Sequence, residues 1–374
     1  NFQNKKHDDQ ILITSFLHTK LYSINNIVIG INLSKLLNKT AVALIKKNDF
    51  GTEIFMRSFG IEKFYYLHNE NLISRLKYLF LSIKLLKKIA NINELLEFRY
   101  EGIFFGKIIY DHYIRFNRVG TVSSLEPKFY LYLSQALMFY MQTKKILISS
   151  KINNIVQTEN QFIPSSPVFQ AALKKNCKVY CKIGTANKIS VRVFQSFSEV
   201  YKNRHRFSSN LFNLVKTKNK NFAIKKGEFI IQNRLKNIAG YSVDQARSLE
   251  FIKDDLNKNI SNFNKTELCK RYNWDPKKPI AMIFANDLID GVFSNSWNLY
   301  TDRLTWLRVT LNFISKIKNI NWIIKPHPNE IRNKVITSTK LEVKKFYSQF
   351  THIKLFPEEC GIETLPKIIK CAIS

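Results

Sequence analysis

The chain has 374 residues, a formal net charge of +31 and a pI of about 9.9. Hydrophobic residues make up 45% and aromatic residues 13%, which argues against a disordered chain and suits two domains with sizeable cores. The excess positive charge predicts an anionic partner, either nucleic acid, an acidic membrane surface or an anionic substrate. The abundance of Lys, Asn, Ile and Phe also fits an AT-rich coding sequence, which raises the lysine content without any partner.

The first part of the chain alternates short β-branched runs with helical patterns. This rhythm predicts parallel strands covered by helices. The predicted strands are residues 11–16, 40–45 and 63–67, and the predicted helices are residues 24–37 and about 51–59.

A long helical region is predicted from residue 70 to about residue 147. Its first helix has an apolar stripe of Leu72, Leu76, Leu79, Phe80, Ile83 and Leu86. Its basic residues lie mostly off that stripe, and they are Arg75, Lys77, Lys84, Lys87 and Lys88. Two interpretations stay open, a core helix with a basic solvent-facing side and a helix that lies on an anionic membrane surface.

The βα rhythm returns with strands at 153–159 and 178–184 around a helix near 167–175. Residues 216–228 are basic and weakly patterned, which predicts an exposed loop. Helices are predicted at 242–259 and 265–272, the second capped by Asn264, and a turn follows at 274–279.

A second α/β unit begins after that turn. Its predicted strands are 280–285, 322–325 and 352–356, its predicted helices are about 302–316, 341–350 and 362–369, and a last strand starts at 371. The predicted domains are therefore residues 1–240 with the helical insert at about 70–147, a helical linker at 241–275, and residues 276–374. Because the chain stops as a strand begins, the second domain is expected to be incomplete.

The cysteines and the hydropathy of the chain indicate the cellular compartment in which the protein is expected. The five cysteines are odd in number and irregular in spacing, which predicts a reducing compartment without a disulfide framework. Cys177 and Cys181 lie on either side of "KVY" in a predicted strand, too far apart to bind one metal ion together. They are therefore expected to be buried thiols. With no signal-peptide pattern and no apolar run of about 20 residues, we expect a cytoplasmic protein, either free or at the inner face of the cytoplasmic membrane.

The segment "IIKPHP" at residues 323–328 is the strongest candidate for a binding site. Ligands of open α/β sheets bind at the carboxyl ends of strands, where Lys325 and His327 are predicted to lie. Pro326 and Pro328 stiffen this turn, so His327 is presented with little loss of entropy. A His donor beside a Lys charge suits a nucleotide phosphate, and the alternative is a structural His in a proline turn.

The segment after the first strand of the second unit also carries candidate residues. Asn286, Asp287 and Asp290 lie there and could cap a helix, bind a metal or act as a base.

In "YEGIFFGKIIYDHYIRF" at residues 100–116, Gly102 and Gly106 permit close approach of a helix or ligand. Asp111 and Arg115 are spaced as a helix ion pair, and His112 fits a packed or surface side chain better than a ligand-binding one. Nucleophile-elbow, zinc-helix, P-loop and dinucleotide glycine motifs are not found in the sequence, which argues against those classes.

The order of elements resembles that of GT-B glycosyltransferases, in which two Rossmann-like domains face each other across a cleft. More narrowly, the chain is similar to bacterial capsule polysaccharide biosynthesis proteins, CDP-glycerol glycerophosphotransferases and polysialyltransferases. The segments that carry the resemblance are "IIKPHP", "FANDLIDGVFSNSWNLYTDRLTWLRVTL", "EGIFFGKIIYDHYIR" and "SFGIEKFYYL".

This resemblance implies a transferase that moves a sugar or polyol-phosphate from a nucleotide-activated donor, a CMP- or CDP-linked one, to an anionic glycan or lipid-linked acceptor. It implies that His327 and Pro328, aided by Lys325, contact the donor phosphate, and that Glu101 with Gly102 corresponds to an acidic-Gly motif that supplies the base. Asp290 is the second candidate base, and no metal or cofactor is expected. A nucleotide-binding segment would follow residue 374.

Two other functions remain open at this point. A non-catalytic scaffold of surface-polymer assembly would share the fold. A nucleic-acid-binding protein would use the positive charge and would stack bases on its aromatic side chains, although aromatic residues in α/β periodicity usually belong to the core.

Overall fold

The computed structural model describes residues 9–16, 20–68, 71–183, 190–199, 213, 217, 219–235, 263–293, 299–347, 349–357 and 365–373. These residues form a six-stranded sheet and a four-stranded sheet with helices around them. Most strand pairs are parallel, which confirms the predicted α/β class.

The first sheet consists of β1 (Gln10–Ser15), β2 (Thr40–Lys46), β3 (Phe64–Leu67), β4 (Asn154–Val156), β5 (Lys178–Ile183) and β6 (Ser190–Phe194). The strand order is β3-β2-β1-β4-β5-β6, the order of a doubly wound sheet. All of these strands were predicted except β6, which runs antiparallel to β5. β1 is buried at every residue because it has a strand on each side and helices over both faces.

The helices beside this sheet are α1 (Lys20–Leu37), α2 (Phe50–Arg57) and α7 (Ser165–Lys174), close to the predicted ranges. Asp49 caps α2 by accepting a hydrogen bond from the main-chain N of Thr52. Cys177 and Cys181 are buried reduced thiols, as predicted.

The helical region between β3 and β4 contains α3 (Leu72–Leu86), α4 (Ile92–Glu97), α5 (Phe105–Asn117) and α6 (Lys128–Ser149). α5 is buried along most of its length. A Cβ on Gly106 would lie 1.5 Å from the main-chain oxygen of Leu95, so this glycine permits the close approach of α4 and α5. The close contact predicted here is therefore one between helices.

The interpretation of α3 as a core helix is wrong for most of its predicted stripe. Leu72, Leu76, Phe80 and Ile83 are exposed, and only Leu86 is buried. Another side of α3 packs on α6, where Ser82 Oγ donates to the main-chain oxygen of Tyr130. Because α3 is apolar on most sides, its periodicity alone does not determine which side meets α6.

The predicted loop at 216–228 is also wrong over most of its length, because α8 (Lys220–Leu235) is helical. Its side chains are mostly exposed over 220–229. The segment has no proline and many strong helix formers, and this propensity outweighs the weak apolar pattern. The helix predicted at 242–259 lies outside the described residues.

The second sheet consists of β7 (Ile280–Phe284), β8 (Asn321–Lys325), β9 (Ile353–Leu355) and β10 (Cys371–Ile373), all parallel in the order β10-β7-β8-β9. Its helices are α9 (Lys265–Tyr272), α10 (Arg303–Ile314), α11 (Asn329–Arg332), α12 (Thr339–Tyr347) and α13 (Leu365–Ile368). Every predicted strand of this unit is confirmed. The Asn264 cap is confirmed too, as a capping box with Glu267.

The helical region contacts the second unit directly. Tyr110 Oη, on α5, donates a 2.8 Å hydrogen bond to Asp302, the N-cap of α10. Ile289 and Val292 pack into the apolar core formed by α4, α5 and α6. The two sheets are therefore connected through α5.

Candidate functional site

The Lys-Pro-His-Pro turn follows β8, and the loop at 285–293 follows β7. These two strands pair in parallel with Phe284 opposite Lys325, so both segments leave the same edge of the second sheet. The structure joins them directly, because Asn329 Nδ2 donates to Asp287 Oδ2 across 3.2 Å. His327 and the acidic loop therefore lie at the same edge of the sheet.

Asp287 is buried at this edge and binds several neighbouring groups. Its Oδ2 accepts from the side-chain amides of Asn329 and Asn333 and lies 3.7 Å from Arg115 Nη1. Its Oδ1 accepts from the main-chain N of Ile289, which is ordinary Asx-turn geometry. A carboxylate with this many partners holds the loop in place and is poorly suited to accept a proton from a substrate.

His327 is half-buried and held in one tautomer. Its Nδ1 accepts from the main-chain N of Asn329 at 3.2 Å, so in the neutral ring Nε2 carries the proton and is the donor. Burial lowers the pKa of His327, and the carboxylate of Asp287 opposes this shift. At neutral pH the ring is therefore an uncharged Nε2–H donor.

The charges that act on His327 are balanced in number. Lys325 and Arg303 are positive, and Asp287 and Asp290 are negative. Arg303 Nη1 lies 3.7 Å from Asp290 Oδ2 and donates to the main-chain oxygen of Asp287 at 2.8 Å. The Lys325 ammonium lies 5.0 Å from the ring centroid of Phe356. Of these groups, Asp290 has the more exposed carboxylate, which makes it the better candidate for a base.

The remaining predicted residues of this edge differ in role. Asp111 is buried and accepts from the main-chain N of Val292 at 2.8 Å and of Phe293 at 3.1 Å, so it ties the acidic loop to α5. Arg115, one turn further along α5, reaches Asp287. Asn286 is exposed, and Pro328 precedes α11.

Glu101 and Gly102 lie apart from this cluster. They precede α5, whereas Arg115 is in its last turn, and ten helical residues rise about 15 Å. Glu101 accepts from Tyr140 Oη at 2.6 Å and from Lys144 Nζ at 2.7 Å. Burial alone would raise the pKa of Glu101, but these hydrogen bonds outweigh it and the pKa is lowered. The structure does not bring Glu101 next to His327.

Arg303, Asn329 and Asn333 are site residues that the sequence reasoning missed. Asn329 follows the Lys-Pro-His-Pro segment directly, and Arg303 follows the cap of α10. Their position next to these motifs was the sequence feature that could have identified them. His112 is buried, and its Nδ1 accepts from the main-chain N of Ile163 at 3.2 Å, in agreement with the predicted packed histidine.

Within the described part of the chain, His, Cys, Asp and Glu side chains form no group of three that could hold a metal ion. In that same part, no helix is both long enough and apolar enough to cross a membrane. Comparisons with protein-family models, with curated proteins and with solved structures find no match.

Proposed function

We propose that the chain is a transferase that moves a sugar or polyol-phosphate from a CMP- or CDP-linked donor to a surface-polysaccharide acceptor. The observation that carries this proposal is the fixed Nε2–H donor of His327 at the carboxyl edge of a parallel sheet, beside Lys325 and Arg303. A neutral donor flanked by two cations matches a phosphate that gains charge as it departs. The proposal includes a GT-B-like pairing of residues 1–240 with residues 276–374 across a cleft.

In this mechanism an acceptor hydroxyl attacks the activated carbon or phosphorus of the donor. Its proton passes to Asp290, and a new bond forms from the acceptor oxygen to the attacked atom. The bond from that atom to the nucleotide's phosphate oxygen breaks, and the electron pair leaves on the phosphate. His327 and Lys325 stabilise the negative charge of this leaving group.

The tautomer of His327 supplies a sharp test. His327→Gln places an amide donor near the position of Nε2, whereas His327→Asn places its polar atoms near Nδ1. A hydrogen bond to a charged group contributes about 1.5–3 kcal/mol, so we expect His327→Asn to weaken CDP binding roughly 10- to 100-fold. We expect His327→Gln to keep most of the affinity.

Calorimetric titration of CMP, CDP and UDP measures these affinities, and donor turnover is assayed in parallel. A wild-type chain that binds no nucleotide, or equal affinity in wild type and both variants, contradicts the proposed donor site. Nucleotide binding without any transfer would instead favour the non-catalytic scaffold.

We also propose that α3 rests on an anionic bilayer surface. Five large apolar side chains of this helix are exposed, and the helix has no acidic residue. Its three basic residues, Arg75, Lys77 and Lys84, are exposed as well, and so are Lys87 and Lys88, which follow the helix directly. Exposed apolar and basic side chains on one helix complement the acyl boundary and the anionic headgroups of a bilayer.

A further inference from the structure

A second site lies in the first sheet, away from the Lys-Pro-His-Pro turn. A cavity of about 490 Å³ opens where β2 ends at Lys46 and β3 ends at Leu67. Residues of α5 and α6, with Ile163 and Pro164, complete its wall. This volume lies in the range of cavities that bind small ligands.

The cavity does not lie at the crevice between β1 and β4, where a doubly wound sheet usually binds its ligand. There, Asn26 Nδ2 donates to the main-chain oxygen of Thr14, and Asn26 Oδ1 accepts from Thr158 Oγ1 at 2.6 Å and from its main-chain N. These contacts occupy most of the switch point, and the pocket beside Thr14 and Asn26 has a volume of about 10 Å³. The open space at the carboxyl edge therefore lies beside it, at β2 and β3.

The polar lining of the cavity consists of nitrogen-rich side chains. Lys46, Lys47, His68, His112 and Gln135 contribute to the wall, and none of the lining side chains that the structure describes is a carboxylate. The rings of Phe116 and Phe139 supply an apolar part. Such a lining suits a molecule with an anionic group on an apolar or ring-shaped body.

The side chain of His112 and the main chain of His68 are held in place before any ligand arrives. The main chain of His68 is clamped by Gln142, which accepts from its N at 3.2 Å and donates to its oxygen at 2.7 Å. His112 accepts at Nδ1, so its neutral ring has the proton on Nε2. The His112 donor therefore loses little conformational entropy when it binds a ligand.

The Lys46 ammonium favours the same conclusion. Burial lowers its pKa, and Asp49 opposes that shift. The Asp49 carboxylate already accepts from the main-chain N and the hydroxyl of Thr52, as the cap of α2. A bound anion would compensate the desolvated ammonium, and two lysines match a dianion better than a monoanion.

We propose that this cavity binds a small organic phosphate, with the phosphate on Lys46 and Lys47 and the organic body against Phe116 and Phe139. This site is independent of the proposed nucleotide donor site. Its occupation requires neither a nucleotide nor catalysis.

The test is a calorimetric titration of the full chain with phenyl phosphate, ribose 5-phosphate and inorganic phosphate. We expect both organic phosphates to bind more tightly than inorganic phosphate, because the ring body gains contact with the apolar wall. Lys46→Met should weaken phenyl phosphate binding about tenfold or more, and Lys46→Arg should retain most of it. Lys35→Met, which removes an exposed charge from α1, is the matched control and should change the affinity less than about twofold.

Lys47→Met is the second variant, because the Lys47 side chain is exposed and its replacement leaves the core unchanged. Unchanged affinity in both lysine variants, or no saturable binding by the wild-type chain, overturns the proposal. Loss of phenyl phosphate binding in His327→Asn with unchanged binding in Lys46→Met also overturns it, because the anion would then occupy the Lys-Pro-His-Pro turn. If CDP fails to bind while phenyl phosphate binding depends on Lys46, this proposal holds and the donor-site proposal fails.

Discussion

At the residue scale, buried histidine makes stability depend on pH. Burial lowers the pKa of His112 from its ordinary value to about 3, with a smaller contribution from the positive charge of Lys46. Between about pH 3 and pH 6.5 the unfolded chain binds a proton at this position that the folded chain does not. The folded state therefore loses stability as the pH falls through that window, by at most about 1.4 kcal/mol per pH unit.

His112→Asn should flatten this dependence, because asparagine can still accept from Ile163 but does not titrate. The measurement is urea denaturation at several pH values between 4 and 7. The unfolded chain takes up most of its proton at this position within that range. The variant will be less stable at every pH because it loses the ring contacts with Phe116 and Tyr132. The quantity to compare is therefore the slope of the free energy of unfolding against pH. Equal slopes in the two proteins would assign the acid sensitivity to other groups.

Gly106 tests the packing of α4 against α5. A Cβ at this position would lie 1.5 Å from the Leu95 oxygen, so Gly106→Ala must push the two helices apart. Overpacking of this kind costs about 1–3 kcal/mol in the free energy of unfolding. Gly51→Ala in α2 is the control, because a Cβ at Gly51 meets open space and should stabilise the helix by about 0.5–1 kcal/mol. A stable Gly106→Ala would mean that α4 can shift without cost.

At the element scale, α3 separates what periodicity predicts from what it does not. The helix itself, every strand except β6 and the capped helix at Asn264 follow from local patterns and are confirmed. The side of α3 that is buried is set by its packing on α6, which is distant in the sequence. The local sequence of α3 therefore could not predict it. The alternation of Val191 and Val193 with polar residues was the available signal for the missed strand β6.

The exposed stripe of α3 gives an element-scale prediction. Phe80→Ser should weaken sedimentation with vesicles of mixed phosphatidylserine and phosphatidylcholine about tenfold, because burying a Phe side chain contributes about 1.5–3 kcal/mol. Phe222→Ser removes a similarly exposed ring from α8 and serves as the control, with Phe80 68% and Phe222 71% exposed. Equal loss in both variants, or equal binding to pure phosphatidylcholine, would argue against a dedicated anionic-membrane face on α3.

At the scale of the whole molecule, the two candidate sites differ in how far the sequence predicts them. His327, Asp287 and Asp290 lie near one another because each follows a neighbouring parallel strand, a relation that the βα rhythm already contains. The cavity at Lys46 and His68 gathers side chains from five separated segments, and no short motif spans them. Sequence reasoning reaches the sites that a sheet edge assembles from adjacent strands and misses those that depend on the packing of the helical insert.

The same helix, α5, contributes to both sites and joins the two sheets. His112 and Phe116 line the cavity, while Asp111 and Arg115 hold the loop that contains Asp287. Asp111 is buried, and its carboxylate accepts from two main-chain amides of the second unit. This single side chain therefore couples the helical insert to the candidate donor site.

Asp111→Asn tests that coupling. An amide group has only one acceptor oxygen and would turn its NH₂ towards a main-chain N–H, leaving a buried donor unsatisfied at a cost of about 1–3 kcal/mol. We expect a lower free energy of unfolding and faster hydrogen exchange at the amides of Val292 and Phe293. Asp9→Asn, at an exposed ion pair with Lys39, is the control and should change stability by less than about 1 kcal/mol. If exchange at Val292 and Phe293 is unchanged in Asp111→Asn, the loop is held by its apolar packing in the helical core, and α5 contributes contact area without electrostatic coupling.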